Sequence, residues 1–141
     1  MIEAGKYKVY LFENPVTTSS GFPLVYDWLD LYDDAFVFRL TNKPCIFEDG
    51  NDLNSMKSKI TSSIRESECV VIPLLGDREL SFDEWCKYAF EKATEYGIPI
   101  IVIIDKRDSF TDSLIKEYSI TEFVKFDREK VVSSVINACK K

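Results

Sequence analysis

Histidine is absent from this chain, and acidic residues outnumber basic ones. Without histidine, neither a Ser-His-Asp triad nor a Cys-His pair can be assembled, and a zinc site is not expected. The 18 lysines and arginines stand against 24 acids, which gives a formal charge of −6. This balance argues against a protein that follows nucleic-acid phosphates, because such a protein needs a basic face. We therefore expect neither a metal nor a nucleic-acid partner.

Long apolar runs are also missing. The longest, with proline counted, have seven residues, far short of the roughly 20 that span a bilayer. The first eight residues lack the apolar segment of a signal peptide, and no Gly-x-Gly-x-x-Gly or Cys-x-x-Cys pattern occurs. We expect a cytoplasmic protein without a membrane partner or a Rossmann cofactor site. Its four cysteines, at 45, 69, 86 and 139, are expected to be reduced thiols.

Two continuous apolar runs, Cys69–Leu75 and Ile98–Ile104, are typical of parallel strands covered on both faces. Shorter runs predict strands at 7–12, 35–40 and 123–126. Helices are predicted at 24–32, 53–64, 81–93 and 110–118 and after Asp127, with Ser81 and Glu84 forming a capping box. Alternating strands and helices predict one α/β domain over residues 1–141. The expected fold is a flavodoxin-like, three-layer, doubly wound parallel sheet of about five strands in the order 2-1-3-4-5.

Ligands of such sheets bind beyond the carboxyl ends of the strands, near the point where the strand order reverses. In this chain the segments 12–20, 75–77 and 105–108 follow the first, third and fourth strands. The candidate ligand contacts in the first two segments are Phe12, Glu13, Asn14, Leu75 and Gly76. The hydroxyl-rich stretch 17–20 is either an ordinary polar loop or a phosphate contact.

The helix after the third strand carries the sequence Trp85-Cys-Lys-Tyr-Ala-Phe-Glu, and Pro99 precedes the next strand. This segment resembles the signature of TIR (Toll/interleukin-receptor) domains. The stretches 53–72 and 123–136 are similar to the family's helix into its third strand and to its closing strand and helix. Together, in order, the three stretches resemble above all the bacterial TIR-like proteins of the Thoeris antiphage system.

The resemblance implies an enzyme that breaks the nicotinamide–ribose bond of NAD+. The product would be ADP-ribose or a cyclised or conjugated signal, such as cyclic ADP-ribose, that activates a partner effector. NAD+ would be a substrate, so no bound cofactor is implied. A carboxylate stabilises the oxocarbenium-like ribose, and in this chain its position is occupied by Ala89. Trp85 and Tyr88 would be pocket walls, although each also suits core packing.

Ala89 has two interpretations. One is a designed replacement of Glu that leaves an inactive enzyme; the other is a natural non-catalytic TIR-like protein that assembles with itself or another chain. A receiver domain fits poorly, because Asp77 lies two residues beyond the third strand's end, and a flavodoxin would be yellow. If residue 89 is the catalytic position, its methyl group should point into a ligand-sized hollow at the carboxyl ends of the strands.

Overall fold

The computed structural model describes residues 7–12, 25, 26, 28, 38–40, 53–75 and 84–140. Its strands are β1 (Tyr7–Leu11), β2 (Phe38–Leu40), β3 (Cys69–Leu74), β4 (Ile100–Ile104) and β5 (Ile120–Lys125). Its helices are α1 (Leu53–Arg65), α2 (Glu84–Glu95), α3 (Ser109–Glu117) and α4 (Arg128–Cys139). Val25, Tyr26 and Trp28 are also helical, within the segment predicted as the first helix.

The five strands form a single parallel sheet in the order β2-β1-β3-β4-β5, which confirms the predicted topology. β1 lies between β2 and β3, with Val9 opposite both Leu40 and Cys69. β3 and β4 pair over five residues, from Val70 opposite Ile100 to Leu74 opposite Ile104. Because all neighbours are parallel, their carboxyl ends lie at one edge of the sheet.

Helices cover both faces of the sheet, as the apolar runs predict. Alternate residues of a strand face opposite sides, so β4 contributes Ile101 and Ile103 to one core and Ile100, Val102 and Ile104 to the other. The first core packs against α4, and the second against α1, α2 and α3. All five β4 side chains are buried. The result is the predicted three-layer α/β fold.

The structure differs from the prediction at the start of β5, and it shows how two helices begin. β5 begins at Ile120, three residues before the predicted strand, because its first half carries exposed side chains that hide the apolar pattern of an edge strand. Asp127 stands at the N-cap of α4, but its side chain makes no capping hydrogen bond. Asp108 instead caps α3: its carboxylate accepts from the Thr111 amide at 3.1 Å, and its own amide donates to the Thr111 hydroxyl at 2.9 Å.

Gly97 ends α2 and turns the chain into β4. Its φ of 67° lies in the left-handed region that favours glycine. The Ile98 amide then donates to the Ala93 carbonyl at 2.9 Å, and the Gly97 amide donates to Thr94 at 3.1 Å. This is the pattern of a Schellman motif. It fixes the angle at which α2 lies over the strand that follows it.

Among the described residues, Cys69, Cys86 and Cys139 are buried thiols outside any disulfide, as predicted, while Cys45 lies outside the described residues. Within the helices that the structure describes, none combines the length and apolar character needed to cross a membrane.

Candidate functional site

The reversal of strand order lies between β1 and β3, since the chain leaves β1 for β2 on one side and returns to β3 on the other. Phe12 directly follows β1, and its amide donates to the Val71 carbonyl at 2.9 Å. Leu75 directly follows β3. Two of the predicted ligand contacts therefore end adjacent strands at the expected edge. Glu13, Asn14 and Gly76 lie outside the described residues.

Phe12 and Leu75 are themselves largely buried, with 2% and 7% of their surface exposed. They also belong to different layers, Phe12 to the core under α1 and α2 and Leu75 to the core under α4. Their side chains therefore pack on opposite faces of the sheet. At this edge of the sheet, the two residues therefore mark only where the backbone of each strand ends.

Ala89 is completely buried, with 0% of its surface exposed. It lies on the side of α2 that packs on the sheet, together with Cys86, Phe90 and Ala93. The prediction that its methyl group points into a ligand-sized hollow is therefore wrong: the methyl group is sealed in the apolar layer between α2 and the strands. A carboxylate at this point would be removed from water without a partner among its apolar neighbours.

Tyr88 and Trp85 are both half-buried and pack against the same core. The Tyr88 hydroxyl lies 2.6 Å from the Thr61 hydroxyl in the middle of α1. Its ring therefore extends across the face of α2 that lies beside α1. The structure brings Tyr88 together with α1 residues that the sequence did not connect to it.

A groove of about 460 Å³ runs between α1 and α2. It is lined by Asn54, Lys57, Ser58, Thr61, Ser62, Arg65 and Tyr88. Among these lining residues, all of them in the described part of the chain, there is no carboxylate. We call it the α1–α2 groove. Its lining is cationic and hydroxyl-rich, whereas the chain as a whole is acidic.

Cations lie against tyrosine rings in and beside the α1–α2 groove. The Lys57 and Lys92 ammonium groups lie 5.3 and 5.5 Å from the centre of the Tyr88 ring. The Arg65 guanidinium carbon lies 5.1 Å from the centre of the Tyr96 ring, and Arg65 donates to the Tyr96 hydroxyl at 3.1 Å. Cations within about 6 Å of a ring centre are attracted by its negative face.

The cations in and beside this groove have different partners. The hydrogen bond to Tyr96 raises the pKa of Arg65 above its ordinary value, and Glu95 adds to the effect. Lys92 forms an ion pair with Glu95 at 3.5 Å. Lys57 is exposed and contacts the Tyr88 ring. Lys57 and Arg65 therefore present positive charge to the groove near opposite ends of α1.

The sequence did contain a signal for this groove. Lys57, Thr61 and Arg65 are spaced by four residues on α1, and so are Tyr88, Lys92 and Tyr96 from α2 to the turn after it. Residues four apart lie on one face of a helix. Each stripe taken alone is ordinary for a solvated helix surface. Only the packing of α1 beside α2 places the two stripes together.

A second groove, of about 390 Å³, lies between the edge strand β5 and α4. Its lining includes Glu122, Lys125, Lys130 and Ser134. The Ser134 hydroxyl donates to the Glu122 carboxylate. Acidic and basic side chains are mixed in this second groove, and the Glu122 carboxylate already accepts a hydrogen bond. In the described ranges, no group of three or more cysteine or acidic side chains is arranged to hold a metal ion.

No protein-family model matches the sequence, and no curated protein matches it. Among solved structures, a mutant of the flavo di-iron protein from Thermotoga maritima is similar, with a TM-score of 0.57 and 16% identity. The match covers 98% of this chain and 36% of that chain, so this chain spans about a third of the other protein's length. At this identity the likeness shows the fold alone, and it supports the flavodoxin-like architecture.

Proposed function

We propose that this chain is a non-catalytic TIR-like module that works by binding another protein chain. The observation that carries the proposal is the complete burial of Ala89 in an apolar layer. In the TIR-like comparison, residue 89 is the position that must present an acid to a ribose. Here the position is filled by packing, and α2 serves as a structural helix.

Carboxylates elsewhere on α2 do not replace the missing one. Glu84, Glu91 and Glu95 are exposed, on the side of the helix away from the sheet. Cleaving the nicotinamide–ribose bond requires an acid held against the ribose, where positive charge develops. Losing a single group of this kind commonly costs about 10²–10³ in rate. Little or no turnover of NAD+ is therefore expected.

A second candidate is the NAD+ glycohydrolase or cyclase activity of Thoeris-type TIR proteins, in a parent form with Glu at position 89. It is favoured by the position of Phe12 and Leu75, which end β1 and β3 where flavodoxin-like sheets bind ligands. In that form the chain would make an ADP-ribose-derived signal for an effector in antiphage defence. It would act in the cytoplasm.

One pair of variants separates the two candidates. A89E installs the acid, and A89Q adds a side chain of the same shape without the charge. NAD+ loss and nucleotide products are measured by chromatography for the unmodified chain and for both variants. The proposal expects no turnover in any of the three. Turnover by A89E that is absent from A89Q would favour the enzyme, provided that both variants keep the circular dichroism of the unmodified chain.

The binding role has its own measurement. Sedimentation velocity over a wide range of concentrations tests whether the chain associates with itself, and a TIR-like partner chain can be added in the same cell. Association with either supports the proposal. A chain that stays monomeric, binds no TIR-like chain and cleaves NAD+ would contradict it.

A further inference from the structure

We infer that the α1–α2 groove binds an acidic peptide segment of a partner protein. This inference rests on the proposed binding function and names its surface and the chemistry of its partner. The groove presents Lys57 and Arg65, with hydroxyl groups of Ser58, Thr61 and Tyr88 between them. A site with cations at its ends and neutral donors in the middle suits an extended anionic chain.

The spacing of the two cations fits a peptide better than a single phosphate group. Lys57 and Arg65 are eight residues apart, which is about 12 Å along a helix. Their charged groups lie over the Tyr88 and Tyr96 rings, which belong to residues that are also eight apart, so in these positions the cations do not converge on one phosphate. An extended peptide advances about 3.3 Å per residue, so acidic residues four positions apart would reach the two cations together.

The form of the groove points the same way. Sites for small molecules are mostly apolar and enclose their ligand, whereas here exposed polar side chains form much of the lining. The Tyr88 ring is held by the Thr61 hydroxyl at 2.6 Å, so the floor of the groove is fixed. The rings also hold the Lys57 and Arg65 side chains over the groove. Less side-chain freedom is then lost on binding.

The overall charge of the chain does not by itself attract an acidic peptide. A protein of net charge −6 repels an acidic peptide at long range. Saturable binding of such a peptide therefore requires a local positive site. Glu95 on α2, whose charge acts on Arg65, is paired with Lys92 at 3.5 Å, which limits its repulsion of the peptide.

The test uses fluorescein-labelled octaglutamate and fluorescence anisotropy at low salt. The unmodified chain is compared with K57E/R65E and with the control K116E/K140E. The control changes exposed lysines on α3 and after α4 by the same total charge. We expect saturable binding to the unmodified chain, at least tenfold weaker binding to K57E/R65E, and binding to the control within about twofold. The affinity should fall as salt is added.

Several results would overturn the inference. One is an absence of saturable binding at millimolar peptide. Another is an equal loss of peptide affinity in both charge-reversed variants. Binding of inorganic phosphate but not of octaglutamate would assign the groove to a phosphate ligand. Self-association that is lost only in K57E/R65E would assign it to a second copy of this chain.

A second pair of variants and a measurement of amide chemical shifts complete the test. If K57E/R65E does not fold, K57Q/R65Q replaces it, with K116Q/K140Q as its control. Amide shifts on peptide addition are expected at residues 57–65 and 88–96 of the unmodified chain, and shifts elsewhere alone would contradict the site. NAD+ loss tests the proposed function separately, so a failed peptide experiment leaves the non-catalytic assignment standing.

Discussion

The Thr61 hydroxyl and the Tyr88 hydroxyl lie 2.6 Å apart and join the middle of α1 to the first turns of α2. Both side chains are half-buried. The contact satisfies two hydroxyl groups at the boundary between the core and the α1–α2 groove. It also fixes the Tyr88 ring, against which the ammonium groups of Lys57 and Lys92 lie. The packing of α1 against α2 therefore helps to set where positive charge lies on their surface.

A double-mutant cycle with T61V and Y88F measures this link. A buried hydrogen bond between neutral groups contributes about 0.5–1.5 kcal/mol. We expect each single variant to lower the free energy of unfolding by about 1 kcal/mol. The double variant should lose less than the sum of the two, because each substitution already breaks the same bond. Urea denaturation gives all three values, and strictly additive losses would mean that the hydroxyls do not interact.

The A89E substitution is expected to destabilise the fold strongly. It places a larger, charged side chain in a layer where Ala89 has no exposed surface. Overpacking costs about 1–3 kcal/mol, and an unpaired buried charge adds several more. A89Q should lose less than A89E at pH 7, and the difference should shrink at pH 4, where the acid is protonated. A loss below about 1 kcal/mol for A89E would instead indicate an open hollow at residue 89.

The aspartates at the N-cap positions of α3 and α4 should respond differently to alanine. Asp108 exchanges hydrogen bonds with Thr111 at the start of α3, whereas the Asp127 side chain makes none at the start of α4. An N-cap of the first kind contributes about 1 kcal/mol. Thermal denaturation should therefore show a clear loss of stability for D108A and a smaller one for D127A. Equal losses would contradict the capping geometry.

The buried thiols should resist modification. The neighbouring Cys139 thiol, together with burial, raises the pKa of the Cys69 thiol well above its ordinary value. Only a thiolate reacts quickly with a disulfide reagent. At pH 8 the native chain should show slow reaction at Cys69, Cys86 and Cys139, and rapid reaction of all of them in denaturant. Mass spectrometry after brief labelling identifies the sites, and fast labelling of native Cys69 would contradict its burial.

The fold could be predicted because a strand that is buried on both faces of the sheet has a recognisable sequence pattern. The run Ile100–Ile104 has no polar position because both of its faces are covered, and that fixed β4 and the class of the sheet. The start of β5 was missed, since an edge strand exposes residues such as Glu122 and loses the apolar signal.

The site was harder to predict, because its geometry depends on contacts between distant segments. Tyr88 and Thr61 are 27 residues apart, and nothing in either helix alone indicates that their hydroxyls meet. Ala89 illustrates the opposite problem. A motif can place a residue on the correct helix, but one helix has both a core side and a ligand side. Only packing showed that Ala89 belongs to the core side.

Whether the chain lacks NAD+-cleaving activity is tested by incubating NAD+ with the purified, unmodified chain at micromolar protein and following it by chromatography over hours. We expect NAD+ to stay intact and nicotinamide not to accumulate above the rate of a protein-free control. Catalytic release of nicotinamide, with many turnovers per chain, would show that the chain is an enzyme despite Ala89 and not a non-catalytic module.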